Sequence, residues 1–200
     1  MKNFVYEYGG CLYINLTNKC PNDCEFCVRN IRNGIGEDDL RLTREPNFED
    51  IKECLSMYPL KKYGEIVFCG YGEPLCALST LSQVAPYIKR LGFKTRLNTN
   101  GLGGLWNKRK DIPVLISKYI DSVSIPLNAS YRELYQEICR SIYGEDAFDA
   151  MIEFAKGCIE NGIDTTLTVV DFIGEEEIEN CRILAEQLGA KYRVRETIRE

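Results

Sequence analysis

The sequence contains no histidine, and this absence removes several classes of enzyme at once. Ser-His-Asp and Cys-His catalytic groups need an imidazole, as do the HExxH zinc proteases and the Cys2His2 zinc sites. Any proton transfer near neutral pH must then use carboxylate, tyrosine, cysteine, lysine or water. The sequence does not identify which of these acts, so the catalytic residues remain unassigned.

Long apolar runs and an excess of positive charge are also missing. No segment reaches the ~18 consecutive apolar residues typical of a membrane-spanning helix. Residues 1–16 include Glu7 and lack the continuous apolar run of a secretory signal. We therefore expect a cytoplasmic protein with no membrane partner. The formal net charge of −5 argues against duplex nucleic acid as the main partner, because phosphate backbones are bound by clusters of Lys and Arg.

Cysteine, by contrast, is abundant, with ten residues in a chain of 200. This density is too low for a small secreted disulfide scaffold, and the chain is long enough to bury a core without cross-links. In a reducing compartment these cysteines are expected to be thiols or metal ligands. The length suits one domain, so we expect residues 1–200 to form a single domain.

Apolar, β-branched runs alternate with longer amphipathic segments, which predicts parallel strands joined by right-handed helical crossovers. The predicted strands are Cys11–Thr17, Glu65–Cys69, Lys94–Asn98, Ser122–Leu127, Thr165–Val170 and Lys191–Val194. The predicted helices are Phe48–Met57, Leu78–Leu91, Pro113–Lys118, Ala147–Asn161 and Glu175–Leu188. Such an α/β chain suits an open doubly wound sheet or a partial barrel, since a complete eight-stranded barrel needs about 250 residues. In either architecture ligands bind where the strands end.

Three cysteines, Cys20, Cys24 and Cys27, form a C-x3-C-x2-C motif in the loop after the first predicted strand. A structural zinc site uses four ligands, but the next cysteine along the chain is Cys54. Three clustered thiolates suit a [4Fe-4S] cluster in which one iron has no protein ligand and is open to substrate or cofactor. The alternative is three thiols that bind a structural zinc or no metal.

The motif resembles the signature of the radical S-adenosylmethionine (SAM) superfamily, C-x3-C-x-aromatic-C, with Phe26 at the aromatic position. The resemblance implies a radical SAM core, which is a partial (β/α)6 TIM-like barrel of parallel strands. It also implies a [4Fe-4S] cluster held by the three cysteines, with SAM bound to the fourth iron. One electron from the cluster would cleave SAM, and the 5′-deoxyadenosyl radical would abstract hydrogen from a substrate. A reductant such as flavodoxin or ferredoxin would supply the electron.

Further motifs lie after the second and third predicted strands. Gly72 and Glu73 match the family's GGE motif, which hydrogen-bonds the methionyl amino group of SAM, although Tyr71 replaces its first glycine. By resemblance to other members with a Thr-Asn-Gly turn, Asn98 or Asn100 lies near the SAM carboxylate. The alternative for this last segment is an ordinary Asn-Gly turn.

Two later strands also end in residues that the resemblance assigns to SAM. Ser124 shares a strand face with other small polar residues, which leaves room for a ligand, and the family uses this region to bind ribose hydroxyls. Ser124 and Asn128 are therefore candidates for the ribose site. Val170, with Val169 as second choice, is the candidate that packs on adenine. Ordinary barrel core is the alternative for both valines.

The likeness extends over most of the chain and points to a narrower subgroup. The runs that carry it are Val5-Tyr6, Leu12–Asn15, Thr17-Asn18, Phe68–Pro74, Arg96–Gly101, Ser122–Ala129 and Tyr192–Arg195. Together they look like the short radical SAM proteins whose genes accompany TatD-family metal-dependent hydrolases, a subgroup that commonly has Ser in place of Pro126. A TatD-family hydrolase in the same pathway is the partner that this resemblance implies.

The substrate itself cannot be read from these motifs. Arg29 and Arg32 follow the cysteine motif, and Arg193 and Arg195 share a face of the last predicted strand. Arginines at the open edge would suit an anionic small molecule or a nucleotide, because guanidinium binds carboxylate and phosphate in a bidentate manner. Two alternatives remain: a glycyl-radical-activase-like enzyme acting on a partner protein, and a non-catalytic iron–sulfur or zinc-binding module.

Overall fold

The computed structural model describes residues 3–31, 34–35 and 38–196. The strands in this part of the chain are β1 Val5–Tyr8, β2 Cys11–Ile14, β3 Gly34–Ile35, β4 Asp38–Asp39, β5 Glu65–Phe68, β6 Lys94–Asn98, β7 Ser122–Pro126, β8 Asp164–Val170 and β9 Lys191–Arg195. The α-helices are α1 Val28–Ile31, α2 Phe48–Ser56, α3 Leu78–Arg90, α4 Gly103–Asn107, α5 Ile112–Ile116, α6 Arg132–Cys139, α7 Asp146–Glu160 and α8 Glu175–Leu188. Short 3-10 turns occupy Leu60–Lys62, Pro74–Ala77 and Asp171–Ile173.

The main sheet is parallel except at one edge. Within the described residues it has seven strands in the order β1-β2-β5-β6-β7-β8-β9, and β3 and β4 form a separate hairpin. β1 runs antiparallel to β2, whereas all other neighbours in the sheet are parallel. The outermost strands, β1 and β9, do not pair with each other, so the sheet is not closed. This architecture confirms the predicted partial TIM-like barrel.

The two faces of the sheet differ in polarity because successive side chains of a strand point to opposite sides. Residues such as Leu12, Phe68, Leu97 and Leu167 are fully buried in the hydrophobic core that joins the sheet to the helices. The alternate positions carry polar residues, among them Ser124. We call this second side the polar face; it is the inner surface of the partial barrel.

Most predicted elements are confirmed, with ends that differ by a few residues at most. β6 and α8 have the predicted bounds, and Gly189 ends α8 in a left-handed conformation with φ 75°. The sequence analysis missed β1, the β3–β4 hairpin and the short helices α1, α4 and α6. The residue before α6, Tyr131, is extended and its side chain does not cap the helix. No N-terminal capping motif therefore marks the start of α6. None of the helices described is long and apolar enough to cross a lipid bilayer.

Candidate functional site

The three predicted ligands lie on one loop at the carboxyl end of β2. This segment, residues 20–27, is called the cysteine loop below, and it is fixed to the end of α6. The amide of Asp23 donates to the carbonyl oxygen of Cys139 at 3.1 Å, and that of Glu25 donates to Ile138 at 3.0 Å. The amide of Ile142, just beyond α6, donates to Pro21 at 2.9 Å. The helix that the sequence analysis missed therefore positions the candidate metal ligands.

All three thiols are free and partly buried. Asn100 Nδ2 donates to Cys20 Sγ at 3.7 Å, and Arg29 Nε donates to Cys27 Sγ at 3.3 Å. Burial and the nearby Glu73 carboxylate raise the pKa of Cys20 to about 12. A hydrogen bond with Cys139, followed by burial, raises the pKa of Cys24 well above its usual range. The Cys20 and Cys24 thiols are thus protonated when no metal is bound, and a metal centre must displace these two protons in order to bind.

The turn after β5 packs directly against residues 15–19, the segment that leads into the cysteine loop. Backbone amides of Gly72 and Glu73 donate to the carbonyl oxygens of Thr17 and Lys19 at 2.9 and 2.8 Å. A Cβ atom on Gly72 would lie 2.5 Å from both of those oxygens. Gly70 is equally restricted, since its Cβ would lie 2.1 Å from the Asn15 side chain. The two glycines therefore allow close contact between the turn and the loop.

Glu73, the predicted ligand of the SAM amino group, is buried beside this contact. Its Oε1 accepts hydrogen bonds from the Leu75 amide at 2.9 Å and the Thr99 hydroxyl at 2.7 Å, while Oε2 accepts from the Asn100 amide at 2.7 Å. Burial raises the pKa of Glu73, although these three donors oppose the shift. A carboxylate has about four acceptor positions, so one remains for a further donor. The sequence analysis did not identify Thr99 as a partner of Glu73.

The two candidate asparagines, Asn98 at the end of β6 and Asn100 just beyond it, lie in different parts of the site. Asn100 lies at the edge, where it contacts Cys20 and its Oδ1 accepts from the Leu102 amide at 3.0 Å. Asn98 lies on the polar face and hydrogen-bonds the Cys69 thiol, which lowers the pKa of that thiol against the larger, opposing effect of burial. The Oδ1 atom of Asn98 is buried and has no hydrogen-bond partner among the described residues. Asn100 is therefore the closer of the two to the cysteine loop.

The remaining candidates divide between the polar face and the space behind the loop. Ser124 is paired in register with Asn98 on the polar face. Asn128 is fully buried behind the cysteine loop, where its Nδ2 donates to Cys139 Sγ at 3.7 Å. Val169 belongs to the hydrophobic core, whereas Val170 points to the opposite side of β8.

Aromatic and cationic candidates complete the description. Phe26 contacts Phe172, with 5.6 Å between the ring centroids, and the sequence analysis missed Phe172. Arg29 also donates to the Asn22 carbonyl oxygen at 2.6 Å, so it supports the cysteine loop from within. Arg32 lies outside the described residues. Arg193 and Arg195 are at the carboxyl end of β9.

The donor set fits an iron–sulfur cluster. The site combines three free thiols on one loop with N–H donors directed at two of the sulfur atoms. In the described parts of the chain, no three His, Cys, Asp or Glu side chains converge as the ligands of one metal ion would. Cysteines of an iron–sulfur cluster bind separate iron atoms and need not converge in that way. A large cavity of about 750 Å³ lies elsewhere, between α4, α5 and α7, and includes none of the candidate residues.

Comparison with known proteins identifies the family. A model described as the Radical SAM superfamily matches residues 14–185. Among solved structures, SuiB from Streptococcus suis bound to precursor peptide SuiA has a TM-score of 0.72 and 17% identity, covering 97% of this chain and 40% of SuiB. A radical SAM methyltransferase from Sphaerobacter thermophilus has a TM-score of 0.62 and 15% identity, covering 96% of this chain and 57% of that one.

A third structure carries cofactors. TsrM from Kitasatospora setae, solved with cobalamin and a [4Fe-4S] cluster, has a TM-score of 0.58 and 14% identity, covering 92% of this chain and 34% of TsrM. At such identities these likenesses show a shared fold and nothing further. The chain spans between about a third and three fifths of the length of these three structures. No functionally curated protein matches the chain.

Proposed function

Since this chain belongs to the radical SAM superfamily, we propose that it cleaves SAM reductively and uses the resulting radical to remove hydrogen from a small-molecule or nucleotide substrate. The observation that carries the proposal is the position of the cysteine loop, which is held at the carboxyl edge of a parallel sheet directly beside buried Glu73. Members of this family are enzymes that use a [4Fe-4S] cluster and SAM.

The cysteine loop would hold the cluster through Cys20, Cys24 and Cys27. Bound together, the cluster and SAM supply one-electron cleavage of the sulfonium and a 5′-deoxyadenosyl radical. The protein's own contribution is electrostatic and geometric. The N–H groups of Arg29 and Asn100 point at sulfur atoms and would stabilise negative charge there.

Other residues would orient SAM. Glu73 is fixed by three donors and would accept a hydrogen bond from the methionyl amino group. Asn100 or Asn98 would bind the carboxylate. Holding SAM in a fixed orientation lowers the entropic cost of bringing the radical and the substrate together. Rigidly held groups such as Glu73 would provide that orientation.

The nucleoside part of SAM would lie over the end of the polar face. We assign ribose contacts to Ser124 and Asn128 and adenine packing to Val170. Phe26, which packs on Phe172, would border the same region.

We also propose the wider setting of the enzyme. Residues 1–200 form one radical SAM core domain, located in the cytoplasm and reduced by a flavodoxin or ferredoxin. The sequence runs that resemble the TatD-associated subgroup support a shared pathway with a TatD-family hydrolase.

The proposal is tested by anaerobic reconstitution with iron and sulfide, followed by quantification of 5′-deoxyadenosine after addition of dithionite and SAM. We expect product formation and a change in the EPR spectrum of the reduced cluster when SAM binds. Cys24→Ala should abolish both signals. Cys158→Ala, which removes a buried thiol on α7 away from the loop, should retain both. A reconstituted protein that gives neither product nor spectral change would overturn the proposal.

A further inference from the structure

Two cations on the polar face form ion pairs with carboxylates on neighbouring strands. Arg96 on β6 forms an ion pair with Glu65 on β5, with 2.9 Å between Nη2 and Oε1. Lys191 on β9 forms a second pair with Asp164 on β8 at 2.6 Å. Each of these two cations is therefore neutralised by a carboxylate on the neighbouring strand.

For the next two cations along β9, the described part of the chain offers no comparable ion pair. Tyr192 donates its hydroxyl to the Ile178 carbonyl oxygen at 2.8 Å, so Tyr192 faces α8. Side chains alternate along a strand, so Arg193 and Arg195 face the opposite side, which is the polar face. Among the described residues, neither arginine forms an ion pair with a carboxylate. This end of the polar face thus carries two uncompensated positive charges.

Arg195 lies on the polar face at the carboxyl end of β9. Its charge acts on the Cys69 thiol, which follows β5 and is separated from β9 by three intervening strands of the sheet. Desolvation by the surrounding protein, followed by the positive charge of Arg193, lowers the pKa of Arg195. The residue is nevertheless exposed to solvent, so a ligand can reach it. An anion placed there would offset both unfavourable effects.

Unpartnered polar atoms lie on the same polar face as these charges. Thr168 on β8 pairs in register with Arg193, and Thr168 is almost fully buried. Within the described residues, neither Thr168 Oγ1 nor Asn98 Oδ1 has a hydrogen-bond partner. Buried polar atoms are normally paired, so their presence here points to a ligand that completes these hydrogen bonds.

We propose that Arg193 and Arg195 bind a carboxylate or phosphate group of the substrate on the polar face, with the Thr168 hydroxyl as an additional donor. The inference rests on the proposed function, because it names the class of substrate that the radical would attack. Guanidinium groups match both anions by paired N–H donors. The register also places Arg195 beside Val170, the candidate adenine contact, so the anion would anchor a substrate next to the SAM site.

The test measures binding of two probes, malonate and inorganic pyrophosphate, to reconstituted, SAM-loaded protein by calorimetry. We expect the wild type to bind at least one probe, and the preferred probe separates carboxylate from phosphate. Arg195→Gln should weaken that binding about tenfold or more, as expected for loss of a charged hydrogen bond. Arg195→Lys retains the charge but loses the paired donors. Its affinity for the probe should therefore lie between those of the wild type and Arg195→Gln.

Arg182→Gln is the matched control, since Arg182 lies on the outside of α8 and pairs with Glu179 and Glu186. It should bind the probes as the wild type does. Arg193→Gln gives an independent second test if Arg195→Gln fails to fold. Wild-type protein that cleaves SAM but binds neither probe, or glutamine variants that bind as tightly as the control, would refute the anion site alone. Wild-type protein that does not cleave SAM would instead contradict the proposed function.

Discussion

Gly72 shows how one small residue fixes the distance between two parts of the site. Its amide donates to the Thr17 carbonyl oxygen, and no space remains for a side chain on that side. The next residue, Glu73, donates its own amide to Lys19. The carboxylate that we assign to SAM is therefore held at a fixed distance from the cysteine loop by backbone contacts.

Gly72→Ala should destabilise the protein by about 1–3 kcal/mol, because the new Cβ would force two backbone segments apart. Urea unfolding measures this loss, and iron content after reconstitution should fall with it. Gly64→Ala is the matched control, since a Cβ at Gly64 meets no atom within 4 Å. Equal unfolding free energies for the two variants would contradict the steric explanation.

Cys139 is a residue whose importance the sequence analysis did not reveal. It is buried at the end of α6, it accepts from Asn128 Nδ2 at 3.7 Å, and its thiol hydrogen-bonds Cys24. Once Cys24 is a metal-bound thiolate, the thiol of Cys139 can act as donor to that sulfur. Hydrogen bonds to cluster sulfurs stabilise the extra electron of the reduced state.

Cys139→Ala should therefore shift the reduction potential of the cluster to a more negative value. Cys139→Ser, which keeps a donor, should remain closer to the wild type. An EPR-monitored redox titration measures the potentials, with Cys158→Ala as the control for loss of a buried thiol. If Cys139→Ala and Cys158→Ala have the same potential as the wild type, the thiol does not influence the cluster.

At the scale of elements, the parallel strands of the main sheet were predictable, whereas β1, the β3–β4 hairpin and the short helices α1, α4 and α6 were not. The β-branched run at Lys94–Asn98 has clear boundaries, and β6 occupies the same residues. α6 does carry a helical period, with apolar residues at Leu134, Tyr135, Ile138 and Cys139. Its eight residues and missing N-cap hid that signal. Short helices depend on tertiary packing more than on local sequence.

The candidate site was predictable only where a motif marks it. The three cysteines, Gly72 and Glu73 were found from spacing and resemblance. The hydrogen bond between Thr99 and Glu73 joins residues far apart in sequence and depends on the β5–β6 register. The contact of Asn128 with Cys139 likewise depends on how α6 packs. Local sequence patterns do not encode such contacts between elements.

The anchoring role of α6 leads to a prediction for Tyr135, whose side chain is fully buried and packs on Phe148. Tyr135→Ala should cost about 3–5 kcal/mol, the usual range for truncating a buried aromatic residue. Because α6 would pack less firmly, hydrogen exchange in residues 21–27 should accelerate more than in β6.

Phe154→Ala in α7 is the matched control, because Phe154 is a buried aromatic residue on a helix that does not hold the loop. It should destabilise the protein without selectively exposing residues 21–27. Equal exchange in those residues for both variants would show that α6 does not anchor the loop.

At the scale of the whole molecule, the hydrophobic core and the polar face occupy opposite sides of the sheet, and only Cys24 and Phe26 of the cysteine loop pack against the core. The core joins the sheet to α2, α3, α5, α6, α7 and α8, and its buried members include neither Cys20 nor Cys27. The polar face carries several of the candidate ligand contacts, among them Asn98, Ser124 and Val170. Folding and cofactor binding therefore depend on largely separate sets of residues.

This separation predicts that the protein stays folded without its cluster, unlike small zinc domains that unfold when the metal is removed. Chelation of iron from the reconstituted protein should leave the far-UV circular dichroism spectrum and a cooperative thermal transition in place. The transition temperature should fall, because a ligand that binds only the native state stabilises it by mass action. A variant with Cys20, Cys24 and Cys27 all changed to alanine should match the chelated protein. Loss of the helical signal in either sample would mean that the cluster, and not the core alone, is required to hold the partial barrel together.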